Sequence, residues 1–407
     1  MIFICDDVPG SGKTLAACEM IKNSPQEKWI YIVPDCTTLA RQKELFGNIE
    51  FENASPSMTY KRLLEGKNLV GSPSSLKDIY DVEKAFDEIE KQGYNIVIDE
   101  AVNVLDEISY NDTDLAILSR LGFSRLVIDR FPRLEREFST TYDGEALKDV
   151  LNRFSYSPLY QLPELQKSTY LYWTISPKML QMAKNVYILS FNHTMQPLFL
   201  MLVLEGLTFR YLHLEHDADG KPYMTEGYVP PTFDENPDKY FRIDDRISIN
   251  RVGETPNAMS PKWFNRTKAP YGQLQRAMQT YYIENGRGIP VADKLWGAPI
   301  EATRRLDAGR FASTRTDPDI RQTEDYSDRH YLAFTFYPYM PINERRLRQK
   351  LGWEVDDDAY ALDTLIQWLW RTAVRKKEWV HLYLPNRQLR DQLYEWFNQQ
   401  ERRLKKR

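Results

Sequence analysis

The run Pro9-Gly10-Ser11-Gly12-Lys13-Thr14 follows an apolar stretch, Ile2-Phe3-Ile4-Cys5, and leads into the helix-forming segment Lys13 to Lys22. No other feature restricts the fold as tightly. A strand, a tight glycine-rich turn and a helix in that order form a phosphate loop. Glycine lets the backbone turn sharply and aim its amides inward, and the helix N-terminus adds positive potential where an anion would sit. Lys13 is placed to reach the outer phosphates of a nucleoside triphosphate, and the Thr14 hydroxyl to ligate Mg2+. The loop departs from the usual pattern at Asp7, where Gly or Ala is expected. Asp6 and Asp7 also bring negative charge close to an anion site.

The first hundred residues alternate strand and helix signals, with strands over Ile2 to Cys5, Trp29 to Val33 and Asn95 to Ile98, and helices over Lys13 to Lys22 and Thr37 to Phe46. Such alternation predicts a parallel sheet covered by helices, whose ligands lie beyond the carboxyl ends of the strands. The stretch Ile96-Val97-Ile98-Asp99-Glu100-Ala101 ends on that edge. Asp99 is suited to hold Mg2+ and Glu100 to orient and activate a water. An Asp-Glu pair after a strand is common, but about 85 residues beyond a phosphate loop it reads as its partner. ATP with Mg2+ is the expected cofactor.

The chain has 407 residues and a formal net charge of -4. A uniformly basic coat is thereby excluded, though a local basic groove is not. Cys5, Cys18 and Cys36 form no disulfide framework, and the pair His213 and His216 lacks the neighbours a zinc site needs. The longest apolar run, Leu198 to Leu204, is too short to span a bilayer. A cytoplasmic protein is expected. Residues about 101–185, rich in helix formers and aromatics, are expected to be a helical insertion. Residues about 217–270, rich in Pro, Asp and Asn, are expected to be irregular. A helix over Leu362 to Arg375, a strand over Val380 to Leu384 and a helix from about Asn386 close the chain.

Three further stretches resemble superfamily 2 helicases of the DEAD/H kind. The stretch Ile32-Val33-Pro34-Asp35-Cys36-Thr37-Thr38-Leu39-Ala40-Arg41-Gln42 resembles motif Ia, and Gln367-Trp368-Leu369-Trp370-Arg371-Thr372-Ala373-Val374-Arg375 resembles motif VI. Leu189-Ser190-Phe191-Asn192-His193-Thr194 stands in the place of motif III. The C-terminal half also looks like phage- and plasmid-encoded helicases, through Arg321-Gln322-Thr323-Glu324-Asp325-Tyr326, Asp328 to Ala333, Asp358 to Leu362 and Tyr383 to Arg387. The resemblance implies nucleic-acid contacts at Pro34, Thr37, Thr38, Arg321 and Thr323. It also implies that Gln367, Arg371 and Arg375 face ATP bound on the other domain. Trp370 replaces the family's Gly, and the arginine spacing is one residue longer than usual, which leaves open which arginine is the finger. Arginines from Arg304 to Arg348 alternate with aromatics, a mixture suited to single strands, although Tyr331 to Tyr337 reads equally as a buried strand.

The expected architecture is α/β, with two RecA-like domains: residues 1–195, including the helical insertion, and residues 196–407, including the irregular segment. The expected activity is ATP-driven movement on nucleic acid, DNA in preference to RNA, with the oligomeric state left open. A phage assembly or packaging ATPase is the rival reading, and a scaffold with a vestigial site is a second.

Overall fold

The structure, a computed structural model, describes residues 1–33, 46–76, 79, 81–99, 104–128, 131–136, 157–161, 169–266, 270–299, 302, 306, 313–316 and 326–406. They group into two compact units. The first takes Met1–Asp7, Gly12–Pro230 and Pro341–Val355; the second takes Val8–Ser11, Pro231–Met340 and Asp356–Arg407. The fold is α/β, with a largely parallel sheet in one unit, a parallel sheet in the other, and helices against both. Among the described residues no helix is long and apolar enough to cross a membrane.

The first unit contains strands β1 (Ile2–Asp6), β2 (Trp29–Ile32), β3 (Phe51–Asn53), β4 (Asn68–Gly71) and β5 (Asn95–Asp99). These are followed by β6 (Leu105–Ser109), β7 (Phe123–Ile128), β8 (Phe131–Arg136), β9 (Leu159–Gln161) and β10 (Thr169–Trp173). The last three strands are β11 (Asn185–Ser190), β12 (Phe209–His216) and β13 (Pro222–Glu226). Eight of these form one sheet in the order β13-β12-β1-β11-β5-β2-β4-β3. All its pairings are parallel except β12 with β13.

Alternation of side chains along each strand splits the core between the two faces. Ile4, Ile188, Ile98 and Ile32 pair in register across β1, β11, β5 and β2 and belong to one cluster, with Phe86, Ile89 and Leu200 from covering helices. The flanking residues Cys5, Leu189, Val97 and Tyr31 face the other way, onto Ala17, Cys18 and Ile21 of the helix Lys13–Lys22. A sheet buried on both faces reads as near-continuous apolar runs, which is why these strands were legible. The unit continues to Pro230 rather than ending at 195, because β12 extends the sheet directly beside β1.

The sequence predicts mostly helix over residues about 101–185, whereas the described residues of that stretch are mainly sheet. Strands β6 to β10 form a five-stranded antiparallel sheet in the order β6-β10-β9-β8-β7, accompanied by the helix Asp112–Arg120. The aromatics misled: in Thr-Tyr-Leu-Tyr-Trp of β10 they carry strand preference. Tyr170 and Tyr172 fill the local core with Leu134 and Leu159, while Leu171 and Trp173 join the main core.

The segment Pro341–Val355 packs with the first unit. Arg348, read from sequence among arginines suited to nucleic acid, is 4% exposed. Its Nη2 donates to Glu344 Oε1 at 2.7 Å and its Nη1 to the Thr194 carbonyl at 2.7 Å. Arg348 is thus a structural ion.

In the second unit β14 (Phe241–Ile243), β15 (Lys294–Gly297), β16 (Arg315–Thr316), β17 (Tyr331–Phe334) and β18 (Val380–Tyr383) form a parallel sheet, ordered β14-β18-β17-β15-β16. Tyr331, Phe334 and Tyr337 are buried, so the aromatic run from Tyr331 is core. The helix Tyr271–Asn285 buries Leu274, Met278, Tyr281 and Tyr282 in this unit's core. Asn386 caps the final helix, Arg387–Leu404, by accepting from the Leu389 amide.

Two outcomes follow from this packing. Ile188→Ala, in the middle of the isoleucine row, is expected to destabilise the chain by about 2–5 kcal/mol, measured by denaturant unfolding. Burial pushes the thiols of Cys5 and Cys18 up to about 12. At pH 8 the folded protein should therefore resist iodoacetamide at both positions, as read by peptide mass spectrometry, and unfolding should expose them. Because both folded values are raised above 9.0, the stability these thiols contribute is present below pH 9 and lost as pH rises toward 12.

Candidate nucleotide site

β1 ends at Asp6, and the chain turns through Val8 to Ser11, where the Ser11 amide donates to the Val8 carbonyl at 3.3 Å. Gly10 and Gly12 have φ of 79° and 100°, left-handed values that a side chain would strain. A Cβ on Gly12 would also lie 3.1 Å from Pro222 Cγ. The helix begins at Lys13 with no acidic residue in its first turn, so its N-terminal amides keep their positive potential. The Ser11 hydroxyl is buried without a hydrogen-bond partner, a donor suited to a phosphate oxygen. Lys13 Nζ donates to the Asp7 carbonyl at 2.6 Å, which holds the ammonium over the loop.

Register puts Asp99 at the carboxyl end of β5, level with Leu189 of β11. Thr14 Oγ1 donates to Asp99 Oδ1 at 3.0 Å, which joins the loop helix to this strand end. The other oxygen, Oδ2, accepts from Tyr31 Oη at 2.7 Å. Tyr31 is fully buried, and burial together with the Asp99 charge raises its phenol far above the ordinary range. It stays protonated and donates. Sequence reasoning missed Tyr31, since an aromatic on a buried strand signals only core.

Of the acidic pair before the loop, Asp6 is accommodated by burial. Asp6 is 7% exposed, and its carboxylate turns away from the loop. It accepts from the His193 amide at 3.1 Å and lies 2.7 Å from His193 Nδ1. His193 Nε2 is 3.0 Å from Tyr211 Oη. The motif III-like stretch is therefore anchored to the phosphate-loop strand, with Asn192 in a left-handed conformation as the turn begins. The Asp7 amide donates to the Ser190 carbonyl at 3.0 Å, the same connection made through backbone.

In the second unit the motif VI-like residues depart from expectation. The helix runs Asp357–Leu369 and stops, and Ala373–Lys376 form a separate 3-10 turn. Thr372 Oγ1 donates to the Leu369 carbonyl, and the Ala373 amide donates to Arg329 rather than up the helix. These bonds break the helical path, so Gln367, Arg371 and Arg375 do not share one helical face. Gln367 Nε2 donates to Asp363 Oδ2 at 2.6 Å. Arg371 is partly buried and its carbonyl accepts from Tyr326, whereas Arg375 is exposed. Pro34, Thr37, Thr38, Glu100, Arg321 and Thr323 lie outside the described residues.

The residues present fit a Mg2+-nucleotide. The loop amides, the Ser11 hydroxyl and Lys13 can hold phosphate oxygens, and Thr14 with Asp99 supplies hard oxygen donors of the kind Mg2+ takes beside phosphates. Among the described residues no cluster of three or more His, Cys, Asp or Glu could hold a metal alone, and a Mg2+ shared with phosphates needs none.

Residues 237–397 match a family model described as the YonV C-terminal Rossmann-like domain. These residues contain all five parallel strands of the second unit. Over its whole length the chain is similar to the SPbeta prophage-derived uncharacterized protein YonV of Bacillus subtilis (strain 168), with 22% identity over 418 residues covering 98% of each chain. Among solved structures it is similar to an XPD helicase, with a TM-score of 0.48, 12% identity and coverage of 97% of this chain and 94% of that one. It is also similar to Xpd4 of S. tokodaii, with a TM-score of 0.41, 14% identity and the same coverage.

Proposed function

We propose that this chain is an ATP hydrolase that converts turnover into movement along nucleic acid, a motor of the superfamily 2 helicase kind acting on DNA in a phage or mobile-element setting. The observation that carries the hydrolase reading is the bond from Thr14 Oγ1 to Asp99 Oδ1 at 3.0 Å. Two residues 85 positions apart meet where a strand end and a helix N-terminus converge, and both are oxygen donors for the same metal. Bound ATP with Mg2+ supplies the phosphoryl group to be cleaved. Lys13 and the amides of Pro9 to Thr14 bind its phosphates, leaving the Pro9 nitrogen aside as no donor. Tyr31 keeps Asp99 oriented. Glu100, next in the chain, orients a water and takes its proton.

The motor reading rests on the resemblance of Gln367 to Arg375 to motif VI, and of Arg321 to Asp325 to motif V of the same helicases. In this proposal Arg371 or Arg375 completes the site with a planar guanidinium that offsets growing negative charge. Gln367 acts beside it. Pro34, Thr37, Thr38, Arg321 and Thr323 meet the nucleic-acid strand, and the two compact units supply the two RecA-like halves.

Lys13→Ala is expected to abolish ATP turnover with the fold intact, and Glu100→Gln to keep nucleotide binding while losing hydrolysis. A Glu100→Gln enzyme that hydrolyses at the wild-type rate would remove the Asp-Glu assignment. Single-stranded DNA should raise the wild-type rate in steady-state assays. No stimulation by DNA or RNA, with hydrolysis intact, would favour an assembly ATPase.

Arg371→Ala and Arg375→Ala separate the two halves of the proposal. The residue acting as the finger should lose on the order of 10³-fold in hydrolysis rate with much smaller loss of ATP affinity, and Lys should rescue it poorly. Wild-type rates in both variants would remove the second half from catalysis.

A further inference from the structure

The second unit carries a groove of about 460 Å³ lined by Lys239, Tyr240, His330, Lys377, Glu378 and Trp379, within the size range of ligand sites. It lies at the N-terminal edge of the parallel sheet, where β14, β17 and β18 begin. That is opposite to the carboxyl edge, where ligands of such sheets ordinarily bind. Nothing in the nucleotide chemistry above uses it.

Trp379 lines the groove. The residue is 39% exposed, and its ring is contacted from several sides. It meets His381 and Tyr331 edge to face, at centroid distances of 5.3 and 6.2 Å. The Arg242 guanidinium lies 4.6 Å from its centroid. The chain reaches Trp379 through Lys377, whose φ of 60° is left-handed, a conformation costly for a side chain larger than Gly. The turn is held by bonds from Lys377 and Glu378 amides to the carbonyls of Val374 and Ala373. Lys377 is exposed, as is Lys239, 52% at its side chain and paired with Glu235. His330 and Glu378 pair across the rim at 2.9 Å.

We propose that this groove is a single-strand nucleic-acid subsite, in which a base stacks on Trp379 and the flanking phosphates meet Lys239, Lys377 and Arg242. A rigid, half-exposed indole flanked by cations suits a base and its phosphates: any base offers a π face, and the cations take the backbone. Because the ring is already held by its neighbours, little side-chain freedom is lost on binding. The inference rests on the nucleic-acid reading above and adds to it a place of contact that begins two residues after the motif VI-like stretch.

The test uses the full chain and fluorescence anisotropy with labelled twenty-nucleotide oligo(dT) and oligo(U) at low salt, the two polymers distinguishing DNA from RNA as the source. Trp379→Ala is expected to weaken binding of the preferred polymer about tenfold or more, in the range for losing one base-aromatic stack, while Trp379→Phe retains most of it. Lys239→Ala with Lys377→Ala should weaken binding and flatten the slope of log affinity against log salt by about 1.4, two phosphate contacts at ~0.7 each. ATP binding should be unchanged in all of them. An oligonucleotide bearing 5-iodouracil should crosslink to Trp379. If wild type binds neither polymer, the nucleic-acid reading itself falls. If wild type binds but the tryptophan and lysine variants bind equally well, and crosslinks map elsewhere, the groove is not the subsite. Should Trp379→Ala fail to fold, the phenylalanine and lysine variants still decide.

Discussion

Asp99 is held at both oxygens, by Thr14 from the phosphate-loop helix and by Tyr31 from the neighbouring strand. A carboxylate only 4% exposed is costly unless its acceptors are filled. These two donors make its burial tolerable and fix its direction. They also tie separate elements together, since β1 with its helix, β2 and β5 must all be in place for both bonds to exist. The isoleucine row through β1, β11, β5 and β2 supplies that register. A slip by one residue would send every isoleucine to the opposite face and carry Asp99 away from Thr14.

The same logic explains Asp6 before the loop. In isolation, Asp6 beside an anion site is an electrostatic liability. In the fold it accepts from the backbone and ring of His193 and joins the loop after β11 to the strand that carries the phosphate loop. Arg348 then binds the next carbonyls along, those of Thr194 and Gln196. A continuous polar chain therefore runs from the end of β1 to the segment Pro341–Val355, whose sequence neighbours on both sides belong to the second unit. Removing one member of the buried Arg348–Glu344 pair leaves an uncompensated charge, a change on the order of 3–5 kcal/mol.

The helix ending at Leu369 changes how the arginines can act. On one continuous helix, Arg371 and Arg375 would share a face through their spacing of four. Split by the extended Thr372, they acquire separate environments, one partly buried and one exposed. Two nearby arginines of the same sequence stretch are thereby different chemical groups.

What the sequence determined by itself is local or periodic. The glycine spacing specified the loop, because only left-handed backbone at Gly10 and Gly12 makes that turn. Apolar runs bounded by polar residues specified the parallel strands, because a sheet covered on both faces leaves no polar alternation. Asn386 signalled a helix start through its own side chain. Tertiary structure decided the rest. It made β6 to β10 a sheet, since aromatic residues serve helix and strand alike until neighbouring strands offer hydrogen bonds. It gave Tyr31 and His193 their roles and made Arg348 a core ion, because each depends on a partner distant in sequence. It ended the helix at Leu369, because Arg329 accepts the Ala373 amide that the helix would otherwise have used.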